Sequence, residues 1–165
     1  IELPSTDLPA TPPPLEEQTI LTTQTKRLFG YFSQPWHRRG HFDAAMDIFG
    51  DGSVHAVSAP GHIDGHINLL CRLESGKHVY LAGDSCHDRR LLTGEKDVAT
   101  WNDTAYPGVV CCIHQNKTQA EKTLRVIRET IRDPRDMKEV EVVFAHDGAW
   151  EKQAQSEGRF FPGAL

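Results

Sequence analysis

The sequence has no long hydrophobic run and no clustered excess of positive charge. No apolar stretch approaches the roughly 20 residues that a membrane-spanning helix needs, and no basic segment followed by an apolar one, as in a secretory signal, is visible. The formal net charge is −5, whereas a nucleic-acid surface shows a local excess of lysine and arginine. We therefore expect neither a membrane nor a nucleic acid among the partners of this chain.

Cysteine is scarce, and its spacing does not indicate a disulfide framework. The four cysteines contain no C-x-x-C pair, and two of them, Cys111 and Cys112, are adjacent and would make a poor mutual disulfide. Without a visible signal peptide, reduced thiols in an intracellular setting are the simpler interpretation. This pattern predicts a cytoplasmic protein.

The length and composition are those of one globular domain preceded by a short arm. The chain has 165 residues, of which 38% are hydrophobic and 25% charged, enough for a single buried core. Residues 1–18 contain five prolines, which fix φ and lack an amide donor, so an extended arm or linker is predicted there and a partial domain over residues 19–165. Because the first residue is Ile1 rather than methionine, we expect an upstream segment.

Hydrophobic periodicity predicts an α/β (α+β) fold built around a β meander. The four-residue turn E-S-G-K joins two strand candidates, which should therefore be antiparallel neighbours. Residues 33–43 are predicted to be a loop, and residues 88–108 a surface segment that covers the site. The predicted strands are residues 46–49, 53–59, 67–73, 78–82 and 140–145, and the predicted helices are residues 16–29, 116–132 and 150–156, the second with a Thr118–Glu121 capping box.

Histidines and aspartates follow three of the predicted strands. His62 lies in the loop A-P-G-H-I-D-G-H, Asp84 in A-G-D-S-C-H, and His146 in F-A-H-D. Neutral imidazole and carboxylate are ligands that zinc and similar metals prefer. Each residue alone has a structural interpretation, as a loop imidazole, a turn carboxylate or a strand-end cap. Their joint placement at strand ends predicts a metal site.

These loops, in this order, resemble the metallo-β-lactamase superfamily, with the closest match to its lactonase-like and fungal hydrolase branches. The resemblance covers residues 46–150 and implies part of an αββα sandwich, mainly its C-terminal half. It implies that His62 binds one metal ion, that Asp84 bridges two, and that His146 binds the second. Two zinc ions are expected in the complete site, although other divalent metals would also suit such ligands.

The resemblance also assigns roles to neighbouring residues. His87 falls where some lactonases carry a tyrosine that contacts substrate, so Asp84 and His87 are the catalytic candidates. His66, the second histidine of its loop, is expected to pack and hydrogen-bond rather than bind metal, and Asp147 is expected to orient the loop of His146. A nucleophilic pair of Cys86 with His87 lacks a third orienting group and is disfavoured.

One motif of the superfamily has no counterpart in this sequence. The ligand loop H-x-H-x-D-H is absent, and its nearest equivalent, H-R-R-G-H-F-D over residues 37–43, has the wrong spacing. We therefore expect the missing half to come from an upstream segment or a second polypeptide, or the chain to self-associate through an exposed sheet face.

The resemblance implies a metal-dependent hydrolase of an ester, lactone or similar small carbonyl substrate, acting through metal-activated water. Two alternatives remain open from the residues alone. One is a truncated or degenerate half-domain that serves as a non-catalytic interaction or structural module. The other is a module that binds one metal ion through His62, Asp84 and His146, with or without His87.

Overall fold

The computed structural model describes residues 35–160, and the predicted arm and the predicted helix over residues 16–29 lie outside them. The described strands are β1 (His37–Arg39), β2 (Phe42–Asp47), β3 (Val54–Ser58), β4 (Ile67–Arg72), β5 (His78–Leu81), β6 (Thr100–Asn102), β7 (Val110–Cys112) and β8 (Val140–Val143). The described helices are α1 (Arg89–Thr93), α2 (Lys117–Arg132) and α3 (Gly148–Ser156), with one 3₁₀ turn at Gly83–Ser85. None of these helices is long and apolar enough to cross a membrane.

Six of the strands form one mixed sheet in the order β1-β2-β3-β4-β5-β8. Strands β1 to β5 pair antiparallel in succession, and β8 pairs parallel with β5. Strands β6 and β7 form a separate antiparallel hairpin. The predicted meander and the predicted α+β class are therefore confirmed.

The prediction of a loop over residues 33–43 is wrong for its second half. Residues 37–43 contain β1, the beginning of β2 and the turn between these two strands. Gly40 has φ +57°, a conformation that glycine adopts at little cost, so it can reverse the chain between the two strands. The His41 side chain is 11% exposed, and its Nε2 donates to the Asp133 carbonyl at 2.9 Å.

Helix α2 starts one residue earlier than its predicted capping box. The Asn116 side chain accepts a hydrogen bond from the Gln119 amide at 3.1 Å, so asparagine rather than Thr118 is the N-cap, a position that it favours. The helix buries one face, as its apolar spacing predicts. The buried residues are Ala120, Leu124, Ile127 and Thr130.

The core lies between α2 and one face of the sheet. Side chains alternate along a strand, so Val57, Leu70 and Tyr80 share the face that packs with Leu124 and Ile127 in one buried cluster. The opposite face carries Ile67 and Leu81, which are 52% and 41% exposed.

Two buried histidines lie on the sheet face that packs against α2, at the end of the sheet opposite to the loops of His62, Asp84 and His146. His55 and His78 are 2% and 5% exposed, and neither ring nitrogen of His78 has a partner among residues 35–160. Burial, and then the nearby positive charge of Arg39, lower the pKa of both below the ordinary 6.5. Asp47 partly offsets this for His55, and Asp136 does so for His78.

We expect the folded state to lose stability as the pH falls from about 6.5. Each of these histidines has a higher pKa in the unfolded chain than in the folded chain, so acidification favours unfolding. Each group lowers the free energy of unfolding by at most about 1.4 kcal/mol per pH unit. In H78L one of these groups is gone, and the unfolding free energy measured with urea between pH 7 and 5 should fall less steeply. A slope equal to that of the wild type would contradict the role of His78.

Candidate metal centre

Three loops carry the site, and the sheet brings them together at one edge. Strand β3 is antiparallel to β4, β4 to β5, and β8 is parallel to β5, so the C-terminal ends of β3, β5 and β8 lie on the same side. The Ala82 amide donates to the Val143 carbonyl at 2.8 Å, and the Ala145 amide donates to the Gly83 carbonyl at 2.9 Å. These two bonds hold the turn that carries Asp84 against the segment that carries His146.

Asp84 lies at the centre of a compact group of metal-ligand atoms. Its Oδ1 is 2.9 Å from His146 Nε2 and 3.6 Å from His87 Nε2. One ligand atom from each of the three residues lies within 4.8 Å of the others. The structure thus brings together the predicted bridging carboxylate, a predicted metal ligand and the predicted catalytic histidine.

A row of imidazole rings extends from this group into the protein. The His87 ring is 5.0 Å from that of His146, 5.4 Å from that of His62 and 5.4 Å from that of His114, measured between centroids. The His62 and His114 rings are 5.5 Å apart, and His66 is 5.7 Å from His62. His62 therefore adjoins the Asp84 group through His87, and its predicted role as a ligand stays a prediction.

His114 is the histidine that the sequence analysis missed. It follows β7 in the run C-C-I-H-Q-N, where no metal-ligand motif marks it. The Gln115 amide donates to the His62 carbonyl at 2.8 Å, and the Asn116 amide donates to the Gly61 carbonyl at 2.9 Å. The one available signal was the apolar run V-V-C-C-I at residues 109–113, which precedes His114 but was not predicted as a strand.

Several ring nitrogens of this row are buried and lack hydrogen-bond partners among the described residues. His114 is 2% exposed, and neither of its ring nitrogens has a partner within residues 35–160. The Nδ1 atoms of His62 and His87 also lack one there. An unpaired buried polar group costs about 1–3 kcal/mol, and binding of a cation to these nitrogens would remove that cost.

Burial and the neighbouring imidazoles lower the pKa of two of these rings. Burial, and then the nearby His146, lower the pKa of His87, an effect that Asp84 partly offsets. Burial lowers the pKa of His114 as well, with added repulsion from His87 and His62. Neutral imidazole is the form of histidine that binds a metal ion.

A buried hydrogen-bond network supports the turn of Asp84. The Asn68 amide satisfies its neighbours when its oxygen accepts from the Tyr80 and Ser85 hydroxyls, at 2.9 Å each, and its nitrogen donates to the Ala82 carbonyl at 3.1 Å. Asn68, Tyr80 and Ser85 are all at least 97% buried. Rigid support of this kind holds a ligand in place.

His66 occupies the place expected of a supporting histidine. Its Nδ1 donates to the Ala59 carbonyl at 3.2 Å, and the Ala59 amide donates to the His66 carbonyl at 3.0 Å. These bonds close the base of the loop that carries His62. An added Cβ at Gly83 would come within 3.3 Å of His66 Nε2, so the ring also packs beside the turn of Asp84.

Asp147 follows His146 directly and is the N-cap of α3, and its predicted role in orienting the His146 loop stays a prediction. Its carboxylate accepts from the Trp150 amide at 3.0 Å, which caps α3, and forms an ion pair with Arg89. The Arg89 guanidinium in turn donates to the Val142 carbonyl at 2.8 Å. The Asp147 side chain is 6% exposed, whereas that of Arg89 is 44% exposed.

We expect D147A to weaken zinc binding about 10–100-fold, the usual effect of removing a group that orients a metal ligand. D147N should weaken it less, because asparagine keeps the N-cap acceptor while losing the charge that pairs with Arg89. Zinc titration of both variants measures the difference. Equal affinity in D147A and the wild type would show that this contact does not orient His146.

The donor set fits a zinc-like ion. It offers imidazole nitrogens and one carboxylate, held on strand-end loops, with several buried nitrogens that have no partner among the described residues. Zinc binds this combination of nitrogen and oxygen ligands. Asp84, His87 and His146 offer three converging ligand atoms, and three protein ligands is the number common in catalytic zinc sites.

The resemblance to the metallo-β-lactamase superfamily is supported by similarity to proteins named as a metallo-hydrolase and as N-acyl homoserine lactonases. The solved structure of an N-acyl homoserine lactone hydrolase, with N-hexanoyl-L-homoserine bound at the catalytic metal centre, superposes with a TM-score of 0.51 at 20% identity. The match covers 72% of this chain and 38% of that one, and shows the shared fold. No family model matches the chain.

Three curated relatives are similar to parts of this chain. The metallo-hydrolase mfmC of Annulohypoxylon moriforme is 47% identical over 55 residues, which are 32% of this chain and 14% of that protein. The N-acyl homoserine lactonase AttM of Rhizobium radiobacter is 30% identical over 90 residues, 50% of this chain and 31% of that protein. The cytochrome P450 monooxygenase mpaDE' of Penicillium brevicompactum is 36% identical over 117 residues, 66% of this chain and 14% of that protein. The chain thus matches less than a third of each of these three relatives.

Proposed function

We propose that this chain carries part of the active site of a metal-dependent hydrolase that opens lactones or cleaves similar esters. The observation that carries the proposal is the convergence of Asp84, His87 and His146, whose ligand atoms lie within 4.8 Å of one another at one edge of the sheet. Relatives named as a metallo-hydrolase and as N-acyl homoserine lactonases support the lactone class.

A bound divalent ion would supply Lewis-acid chemistry, polarising the carbonyl of the substrate and lowering the pKa of water. Asp84 and His146 would hold the ion, and the 2.9 Å contact between them shows that they already face the same point. His87 lies beside both and is 22% exposed at its side chain. A neutral His87 at that place can accept a proton or hydrogen-bond the substrate.

Exposed apolar side chains flank the histidine row and suit a substrate with an apolar portion. Ile63 follows His62 and Ile113 precedes His114, and each of these isoleucines is 53% exposed. Val110 on the β6–β7 hairpin is 63% exposed. Contact with such residues would bury the hydrocarbon part of an acylated lactone while its carbonyl reaches Asp84.

The complete centre would draw further ligands from outside the described residues. The resemblance implies two zinc ions in the complete site. We propose that an upstream segment, a second polypeptide or another copy of the chain supplies the H-x-H-x-D-H half. The exposed sheet face with Ile67 and Leu81 is where such a half would pack, since exposed apolar patches of this kind commonly mark interaction sites.

Hydrolysis of an N-acyl homoserine lactone by the purified chain, with zinc added, tests the proposal. Ring opening releases one acid equivalent, so a pH-stat follows it directly. We expect turnover above the uncatalysed rate in the wild type, alone or mixed with a polypeptide that carries the missing half, and none in H146A. Zinc binding without turnover under both conditions would instead support the non-catalytic metal-binding module.

A further inference from the structure

The side chain of Asn68 connects β4 to the turn that carries Asp84. Asn68 is 1% exposed. Its amide nitrogen donates to the Ala82 carbonyl at 3.1 Å, and its amide oxygen accepts from the Ser85 hydroxyl at 2.9 Å. Ala82 precedes Gly83 and Asp84 in the chain, and Ser85 follows them. One buried amide therefore holds the backbone on both sides of the Asp84 carboxylate.

Tyr80 fixes the direction in which the Asn68 amide points. The Tyr80 hydroxyl donates to the Asn68 oxygen at 2.9 Å, and the Tyr80 ring stacks on Phe42 with centroids 5.0 Å apart. Burial raises the pKa of the Tyr80 phenol above its ordinary value, so the hydroxyl stays protonated and remains a donor. Because the amide oxygen faces the Tyr80 hydroxyl, the amide nitrogen faces the Ala82 carbonyl.

The turn of Asp84 is held from its other side by the segment that carries His146. The Ala145 amide donates to the Gly83 carbonyl at 2.9 Å. The N-cap residue of the turn, Ala82, offers no side-chain hydrogen bond, so the turn takes its side-chain support from Asn68. Between these two contacts, Asp84 Oδ1 comes to 2.9 Å from His146 Nε2.

We propose that Asn68 is a positioning residue of the metal centre, which fixes the turn so that the Asp84 carboxylate faces His146 and His87. Asn68 is not in the convergent group of ligand atoms, so it acts through Asp84. Two of its hydrogen-bond partners, Ala82 and Ser85, belong to the turn itself, which a network that only filled the core would not require. The inference rests on the proposed function, because it takes Asp84 to be a metal ligand.

Zinc affinity of the full 165-residue chain, measured by competition with a chromophoric chelator, tests the role of Asn68. We expect N68L to bind zinc about 10–100-fold more weakly than the wild type, the range for a group that orients a metal ligand. S85A removes one of the two links to the turn with a smaller change in the core, and it should lose less affinity than N68L. If N68L does not fold, S85A still decides: an affinity equal to that of the wild type would overturn the proposal.

T130V is the matched control for both variants. Thr130 is also 1% exposed, and its hydroxyl donates to the Val126 carbonyl at 2.9 Å within α2. T130V therefore loses a buried hydrogen bond away from the turn, and its zinc affinity should equal that of the wild type. The visible absorption of bound cobalt, which reports the ligand geometry at the metal, should change in N68L and stay unchanged in T130V.

Amide hydrogen exchange in the absence of metal reports on the turn itself. The Ser85 amide donates to the Ala82 carbonyl at 3.0 Å, and the Ala145 amide donates to the Gly83 carbonyl. Both amides should exchange about tenfold faster in N68L than in T130V, because local opening governs exchange.

The outcomes separate this inference from the proposed function. Zinc binding by the wild type with equal affinity in N68L and T130V, or unchanged exchange of the Ser85 and Ala145 amides in N68L, would overturn the role of Asn68 and leave the metal centre in place. A wild type that binds no zinc would overturn the metal centre, and the positioning role with it. None of these measurements involves lactone turnover.

Discussion

Replacement of Asp84 by asparagine is expected to reduce zinc affinity by more than about 100-fold, beyond the range for an orienting residue. Asp84 is the one carboxylate of the convergent group, and its Oδ1 faces both His146 and His87. Asparagine keeps the shape of the side chain but removes the charge that attracts a cation. If the chain is a hydrolase, loss of the metal should lower kcat/KM about a thousandfold. A bound metal stabilises the transition state by several kcal/mol, and each 1.36 kcal/mol corresponds to a tenfold change in rate.

D64N is the matched control for this variant. Asp64 is an exposed aspartate in the loop between His62 and His66, and it lies outside the group of convergent ligand atoms. The same change from carboxylate to amide should therefore leave zinc affinity and turnover as they are in the wild type. Equal losses in D64N and D84N would mean that general negative charge, and not Asp84 as a ligand, accounts for the binding.

Replacement of Gly61 by alanine is expected to lower the free energy of unfolding by about 2–4 kcal/mol. Gly61 has φ +133°, and an added Cβ would lie 2.2 Å from the Ala120 nitrogen and 2.5 Å from the Ala120 Cα. These are backbone atoms of α2, so the clash can be relieved only by moving the loop or the helix. The Gly61 carbonyl accepts a hydrogen bond from the Asn116 amide, and the His62 carbonyl accepts one from the Gln115 amide. The movement should therefore displace both His62 and His114.

Urea unfolding and zinc titration of the same G61A sample measure both effects, and G65A separates clash from backbone strain. Gly65 also has a positive φ, +75°, but a Cβ there meets nothing within 4 Å. G65A should cost only the strain of a non-glycine residue at positive φ, about 1–2 kcal/mol. If G61A proves no less stable than G65A, loop 60–62 is not held against α2 as the structure shows.

The local part of the fold was predictable because short-range patterns determine it. The turn E-S-G-K between β4 and β5 joins strands that must be antiparallel, and Ala120, Leu124 and Ile127 mark the buried face of α2. The beginning of the sheet was not predicted, because proline and glycine at positions 35 and 40 are common in loops, whereas Gly40 here lies in the turn between β1 and β2. The N-cap of α2 was misplaced because Thr118 and Asn116 are both good capping residues, and only the structure shows which side chain reaches the amide.

The site was predictable where a residue lay in a motif and not where it depended on long-range packing. His62, Asp84 and His146 follow strands in characteristic loops, whereas His114 follows two cysteines and an isoleucine with no motif. Its place beside His62 results from amide bonds between residues 61–62 and 115–116, more than 50 positions apart in the chain. The spacing of residues in the sequence does not predict such contacts.

We propose that the strand-end histidines and Asp84 form a metal centre. Metal analysis of the full chain, purified without chelators and then dialysed against zinc, tests it most directly. We predict at least one tightly bound zinc ion per chain in the wild type and in D64N, and loss of bound zinc in D84N. A chain that is folded yet remains free of metal after exposure to zinc would contradict the account.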